Sequence, residues 1–233
     1  MLKGLHAGIL ISVALIGYAP NHAPVVKIIH PAKNSFYEWN SLVLYSVEVS
    51  DPEDGESKYQ EIQSAEVLVK LKYVENSVKA SAYLKQKKFN DTVSLNDMLL
   101  SNCFSCHGFK TKLAGPSFQD ISKKYPNTIP NLGQLVNHIQ KGSVGIWGKE
   151  VMPSHPELND TLAGKMVKWI LTYANDPVLN YFIGLQGVLP LNKPATTIQF
   201  GLFIVTAFYT DHGSADFPDK RITGSGQVIL KMK

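Results

Sequence analysis

Two cysteines occur in the 233 residues, three positions apart, with a histidine directly after the second: Cys103-Phe104-Ser105-Cys106-His107. Thiols spaced this way on one turn can each form a thioether with a vinyl group of haem. The adjacent imidazole then lies under the ring, where it can bind iron. Two other chemistries use a similar spacing and need more than this chain offers. A redox dithiol needs a thioredoxin-like βαβ context, which the surrounding residues lack. A structural zinc site needs four ligands, and there is no second cysteine pair to complete one. The pentapeptide therefore predicts one covalently attached haem c, with His107 as an iron ligand.

The sixth iron position needs its own candidate. Met152 lies in a glycine-rich, irregular stretch, Gly142 to Pro153, suited to a loop laid across a flat cofactor. Pro153 fixes the backbone just after it and stops a helix from running through. Met166 falls in the helical pattern Leu162, Met166, Trp169, Ile170, Tyr173, where a methionine is core filler by default. Met98 shares a short helix with Leu95 and Leu99, so packing is again the default. His138 reads as a surface or core residue of the segment Leu132–Lys141. His155 is the competitor to Met152, and a bis-histidine iron would have the lower potential.

These residues fall in an order that resembles the class I c-type cytochromes, the small bacterial periplasmic kind. The resemblance covers residues 90–178. A short helix, Ser94–Asn102, leads into the haem motif, and Leu113-Ala114-Gly115-Pro116-Ser117-Phe118 follows. Then come Ile139-x-x-Gly142, Trp147-Gly148-x-x-x-Met152-Pro153 and a terminal helix near Asp160–Tyr173. The resemblance implies that the Pro116 carbonyl accepts from the proximal His107, that Met152 is the distal ligand and that Trp147 lies near a haem propionate. It also implies first and last helices that cross at right angles. With both axial positions filled by nitrogen and thioether, the iron has no site for substrate, which suits an electron carrier rather than an enzyme. No G-x-S-x-G, G-x-G-x-x-G, Walker loop or H-E-x-x-H competes.

The elements that must position this site are of two kinds. At 44% hydrophobic and 18% charged residues the chain is globular, and its length suggests two compact units. Mean hydropathy of −0.06 with one apolar run excludes a polytopic membrane protein. The net charge of +4 divides into +1, +1 and +2 over residues 1–89, 90–178 and 179–233, so no segment is a nucleic-acid-binding domain. Ala7–Ala19 is a run of 13 apolar or small residues after Lys3, the length of a secretory core and short for a membrane span. Residues 1–23 are expected to be a signal peptide or an uncleaved N-terminal anchor, placing the protein in the periplasm or another extracytoplasmic space.

Around the haem segment the period changes to two. Val43, Tyr45, Val47 and Val49, then Ala65, Val67, Val69, Leu71 and Tyr73, alternate with polar residues, and Val25–Ile29 adds a third strand. Residues 198–209 and 226–232 supply at least two more, separated by a loop over 211–225. Neither group closes a sandwich alone. The expected fold is therefore mixed and two-domain. An all-α cytochrome domain over 89–178 is inserted in, or packed against, an Ig-like β-sandwich built discontinuously from 24–88 and 185–233. The first β segment resembles a cadherin-like or PKD-like module through Ala23-Pro24-Val25-Val26, His30-Pro31 and Val47-x-Val49-x-Asp51-Pro52-Glu53-Asp54-Gly55. Asp51, Glu53 and Asp54 could supply oxygens to Ca²⁺, although nothing else has the spacing of a calcium loop. Asn76–Lys88 reads as a polar linker whose Lys79, Lys85, Lys87 and Lys88 could steer an acidic partner. Tyr37, Trp39, Tyr209 and His212 could line a carbohydrate-binding face, against their default as core aromatics.

Three functions are consistent with these residues. The first is an exported monohaem electron-transfer protein between a dehydrogenase or quinol-oxidising complex and an acceptor such as a terminal oxidase, with the β-module for docking. The second is an accessory binding subunit, for instance for carbohydrate, of a haem-linked dehydrogenase. The third is an open-haem peroxidase or gas sensor.

Overall fold

The computed structural model describes residues 19–85, 92–195 and 200–233. The apolar N-terminal run up to residue 18, Lys87, Lys88 and the start of the strand expected from Ile198 lie outside the described residues. Among the described residues nine strands and six α-helices follow in order. Strands β1 (Val25–His30), β2 (Phe36–Tyr37), β3 (Leu42–Asp51), β4 (Gly55–Glu56) and β5 (Leu68–Val74) precede the helices α1 (Ser77–Lys85), α2 (Thr92–Leu100), α3 (Cys103–Cys106), α4 (Phe118–Lys124), α5 (Ile129–Lys141) and α6 (Asp160–Tyr173). Strands β6 (Leu179–Ile183), β7 (Gln186–Pro190), β8 (Leu202–Thr210) and β9 (Thr223–Met232) close the chain.

The strands form two sheets, and each sheet takes strands from both sides of the helical segment. In one, β3 pairs antiparallel with β1, β4 and β7. The other has the order β2-β9-β8-β5-β6, in which only the short β2–β9 pair is parallel. Alternate residues of β3 (Val43, Tyr45, Val47, Val49) share a buried core with alternate residues of β5 (Val69, Leu71, Tyr73) and of β8 (Phe203, Val205, Ala207, Tyr209). Here the period-two pattern of the sequence does what it should, pointing one face of each strand inward.

The opposite faces of β5 and β8 are also buried, which alternation alone does not announce. Leu68 and Phe208 join the apolar core of the helical domain, while Val74 and Ile204 pack against Ala80 of α1. The segment expected to be a linker is thus partly a helix. Asn76 starts it, its side-chain oxygen accepting from the Lys79 backbone N–H at 2.9 Å. Ala80, Tyr83 and Leu84 supply the apolar stripe that holds α1 to the sheet. Lys79 is occupied by Glu75 one turn earlier.

Two strands, β6 and β7, were not anticipated. They are five residues each, and they do not pair with each other: β6 extends the sheet of β5, and β7 extends that of β3. The chain changes sheets at Gly184, which adopts φ +127° and whose N–H donates to the Val67 carbonyl at 2.8 Å. Only glycine takes such a φ without strain. The expected strand around Ala65–Tyr73 starts later, at Leu68, because Ser64–Glu66 forms a short 3₁₀ turn.

The sandwich end nearest the Asp51 turn is a hydrogen-bonded knot. Asp51 Oδ1 accepts from the N–H groups of Glu53 and Asp54, both at 2.9 Å. Glu53 faces His22 at 2.6 Å. Asp54 Oδ2 accepts from the Tyr209 hydroxyl at 2.7 Å and the His212 N–H at 3.0 Å. The acidic turn thus ties its own backbone to the segments that carry His22, Tyr209 and His212; among the described residues no group of three or more His, Cys, Asp or Glu side chains is placed to hold a metal ion. Residues 19–22 are tied in as well: the Ala19 N–H donates to Asp216 and the Asn21 amide to Asp211. Trp39 sits at the other end, against Tyr73 and Phe203. The four residues suggested for a carbohydrate face are therefore divided between the two ends.

His212 bridges Asp54, 3.1 Å from Nδ1, and Glu66, 2.8 Å from Nε2. Burial pulls its pKa down, but the two carboxylates outweigh burial and hold it above the ordinary histidine value. A raised folded-state pKa stabilises the fold fully below the unfolded value of about 6.5, and the gain is lost as pH rises through the folded value. The ring is 47% exposed, so solvent screening limits the effect to about 0.5 kcal/mol. Urea unfolding of His212→Gln is expected to lose this pH slope across the neutral range; an unchanged slope would mean that the bridge contributes nothing.

Candidate haem site

The helical domain is assembled around α6. Its start is capped by Asn159, whose side-chain oxygen accepts from the Leu162 N–H at 3.0 Å. Ala163, Met166, Val167, Trp169 and Ile170 are buried along it; of the helical pattern read from the sequence Met166, Trp169 and Ile170 face the core, whereas Leu162 is half-buried and Tyr173 is exposed. Leu95 and Met98 of α2 belong to the same core. The domain is fixed to the β-module through aromatics: Tyr181 of β6 meets Phe109 at 5.1 Å and Trp169 at 5.6 Å between ring centroids. Lys110 Nζ also donates to the Pro177 carbonyl at 2.9 Å, and Asn96 contacts Thr210.

Cys103 and Cys106 begin and end α3, a single turn, so their side chains leave the same short helix. Burial pushes the Cys103 thiol up to about 11, above the ordinary cysteine value.

His107 follows the turn in an extended conformation and is buried. Its Nδ1 lies 2.7 Å from the Pro116 carbonyl oxygen. A carbonyl only accepts, so Nδ1 carries the proton and the Nε2 lone pair is left free. Burial lowers the imidazole pKa, with the Pro116 bond opposing that shift. The neutral ring is thus the resident form. Phe118 stacks on it at 5.4 Å and 22°. Gly115 lies flat against the ring: a Cβ there would come within 2.5 Å of His107 Cε1. This close approach lets the loop bring the Pro116 carbonyl to Nδ1.

All six residues singled out in the sequence, Cys103, Cys106, His107, Pro116, Trp147 and Met152, line one crevice. Met98 and Met166, read as packing residues, are buried and also form part of its wall. His138 lines it too, contrary to its reading as an ordinary surface or core residue; one helical turn of α5 puts it beside Leu135 and Ile139, which face the same space. His155 is not among the lining residues, and its Nδ1 is held by Glu157 at 2.9 Å. Lys124 Nζ sits 4.5 Å over the Trp147 ring.

The residues present fit a haem. Two thiols leave one helical turn at the crevice, a neutral imidazole offers a free nitrogen, and the remaining wall is dominated by apolar groups such as Ile121, Leu135, Ile139 and Ile170. Those side chains would shield a porphyrin from water.

Comparison with known proteins agrees. No family model matches the chain. Cytochrome c-552 of Nitrosomonas europaea is 38% identical over 72 residues, which are 31% of this chain and 70% of that protein. Cytochrome c-552 of Hydrogenobacter thermophilus is 36% identical over 70 residues, 30% of this chain and 70% of its own length. Cytochrome c2 of Rubrivivax gelatinosus is 36% identical over 73 residues, 30% of this chain and 86% of its own. The crystal structure of the wild-type Nitrosomonas europaea protein aligns with 34% of this chain and 96% of that one, at 35% identity and a TM-score of 0.32. With its haem motif, its buried histidine and its relatives in sequence, the chain belongs to the class I c-type cytochromes and carries one covalently bound haem c.

Proposed function

We propose that this protein is an exported one-electron carrier whose iron is bound by His107 and Met152, with Cys103 and Cys106 as the thioether anchors. The observation that carries the reading is the presence, in one apolar crevice, of two thiols, an imidazole fixed by Pro116 and a methionine from a separate loop. The haem supplies a single-electron Fe(III)/Fe(II) couple. The protein's part is to hold that couple and tune it. Pro116 takes the Nδ1 proton of His107 into a hydrogen bond, which orients the ring and makes Nε2 a better donor. The soft thioether of Met152 favours the ferrous state, and the apolar wall disfavours the additional charge of the ferric one, so the potential is positive. Trp147 would lie near a haem propionate. With His107 and Met152 both bound to the iron, neither substrate nor oxygen would have a coordination site.

In this reading the β-module, an Ig-like sandwich shared between the two ends of the chain, docks or tethers the carrier to its redox partner. That partner is a dehydrogenase, a quinol-oxidising complex or a terminal oxidase, in the periplasm or an equivalent space. Residues 1–23 direct export or anchor the chain. Among the described residues no helix is long and apolar enough to cross a membrane.

The test is the absorption spectrum of the haem-loaded protein, oxidised and reduced. A low-spin spectrum with the weak long-wavelength iron–sulfur band is expected. Met152→Ala is expected to abolish that band, to admit carbon monoxide to the reduced iron and to lower the potential. A band that survives in Met152→Ala would remove this ligand. Fast carbon monoxide binding by the unmodified protein would instead indicate an open-haem enzyme or sensor.

A further inference from the structure

Met152 lies in an irregular loop, yet a ligand would have to hold the same point in both oxidation states of the iron. The loop's two ends meet in a small ladder. The Met152 N–H donates to the Ser143 carbonyl at 2.8 Å, and the Ser143 N–H returns a bond to the Met152 carbonyl at 3.1 Å. One rung further, the His155 N–H donates to the Ile139 carbonyl at 2.9 Å, in the last turn of α5. The methionine backbone is therefore fastened to the end of a helix, while residues 144–151 arch between the fastened points.

Gly142 makes the ladder possible. It ends α5 with φ +79° and ψ 173°, a combination open essentially to glycine alone. A Cβ at this position would stand 2.7 Å from the Met152 carbonyl oxygen. Both the turn out of α5 and the approach of the Met152 strand thus require the missing side chain. Gly145 and Gly148, by contrast, have positive φ but open space where a Cβ would stand, so they shape the arch without touching Met152.

We infer that Gly142 and the backbone of Ser143 are the positioning elements for the sixth iron ligand: a latch that presents the Met152 sulfur to the haem independently of the arch. This rests on the assignment of Met152 as ligand. Neither residue touches the metal; each acts through the Met152 backbone. Loss of the latch should raise the fraction of iron without its sixth ligand by about tenfold, the order expected of one strained backbone position.

The experiment compares Gly142→Ala, Ser143→Pro and the arch control Lys149→Ala in the haem-loaded protein, reading the iron–sulfur band and carbon monoxide binding after reduction. The first two should weaken the band and speed carbon monoxide binding; the control should match the unmodified protein. A band and rate unchanged in both latch variants would overturn the inference, as would equal effects in the control. Amide exchange in the unmodified haem protein gives a second reading that needs no variant to fold. The Met152 and Ser143 amides should be protected and the Val151 amide should not; rapid exchange at Met152 would overturn the latch. Retention of the band in Met152→Ala would reject the ligand assignment itself, whereas its loss there with intact latch variants would reject only the latch.

Discussion

Deleting residues 195–233 is expected to abolish the folded β-module altogether, not to trim it. The deletion removes β8 and β9. Strand β8 pairs with β5 over seven positions and with β9 over nine, and both its faces are buried. Phe203, Ile204, Val205, Ala207, Phe208 and Tyr209 would all be lost from cores they help to fill. Burying one large apolar side chain contributes roughly 1.5–3 kcal/mol, so the five large side chains of this strand contribute an amount comparable to the typical ~5–15 kcal/mol stability of a domain. The shortened chain should be insoluble or should expose β5 as an aggregating edge. Circular dichroism and size-exclusion chromatography would show it. A soluble, monomeric product with β signal intact would mean that the N-terminal strands form a unit of their own, and the shared sandwich would have to be given up.

Gly115→Ala should damage the proximal side of the haem site directly. The added carbon would press on His107 at Cε1, with Nδ1 at 2.9 Å also in its way. Either the ring tilts or the loop retreats and takes the Pro116 carbonyl with it. Loss of that hydrogen bond leaves a buried imidazole N–H unpaired, at about 1–3 kcal/mol, in addition to the overpacking cost of roughly 1–3 kcal/mol. The proximal ligand would then be less basic and less firmly oriented, so a lower thermal midpoint and a shifted potential are expected together. Thermal melting and redox titration of the haem-loaded variant read both. A normal midpoint and potential would mean that the loop yields without disturbing His107.

Why the site was so legible follows from its chemistry. A covalent haem needs two thiols and an imidazole at fixed separations along a short stretch of backbone, so Cys103, Cys106 and His107 sit in the sequence almost as they sit in space. Met152 is distant in sequence, but glycine and proline mark its loop. The crevice wall was less visible. His138 lies on an amphipathic helix, and nothing in its own spacing tells a crevice from solvent. Met98 and Met166 obey the helical period equally well as core residues or as haem wall.

The β-module was legible where one face of a strand meets solvent and the other the core, as in β3. It was harder to read where burial is two-sided. Leu68, Lys70 and Val74 of β5 give no clean alternation because the helices cover their face. Strands β6 and β7 are short, and Asn180, Gly184 and Gly187 interrupt any apolar run. The helix α1 is polar except for Ala80, Tyr83 and Leu84, so the sequence around it resembles a linker until the sheet it lies on is known.

The pairing of β5 with β6 brings Lys72 opposite Leu179. The haem domain therefore leaves and re-enters the sheet on neighbouring strands, about 4.8 Å apart, as a hairpin loop would. Each doubling of loop length adds only about 0.6 kcal/mol of closure entropy, and here the loop's own fold brings its ends together. The order of synthesis then acquires a meaning. Strands β1 to β5 come first, with β2, β3 and β5 lacking partners that follow the insert; the haem-binding segment comes next, β7 then completes the sheet of β3, and β8 and β9 complete the sheet of β5. The β-module can be completed only by residues that lie beyond the haem segment, so neither sheet is whole on a chain that stops within the insert.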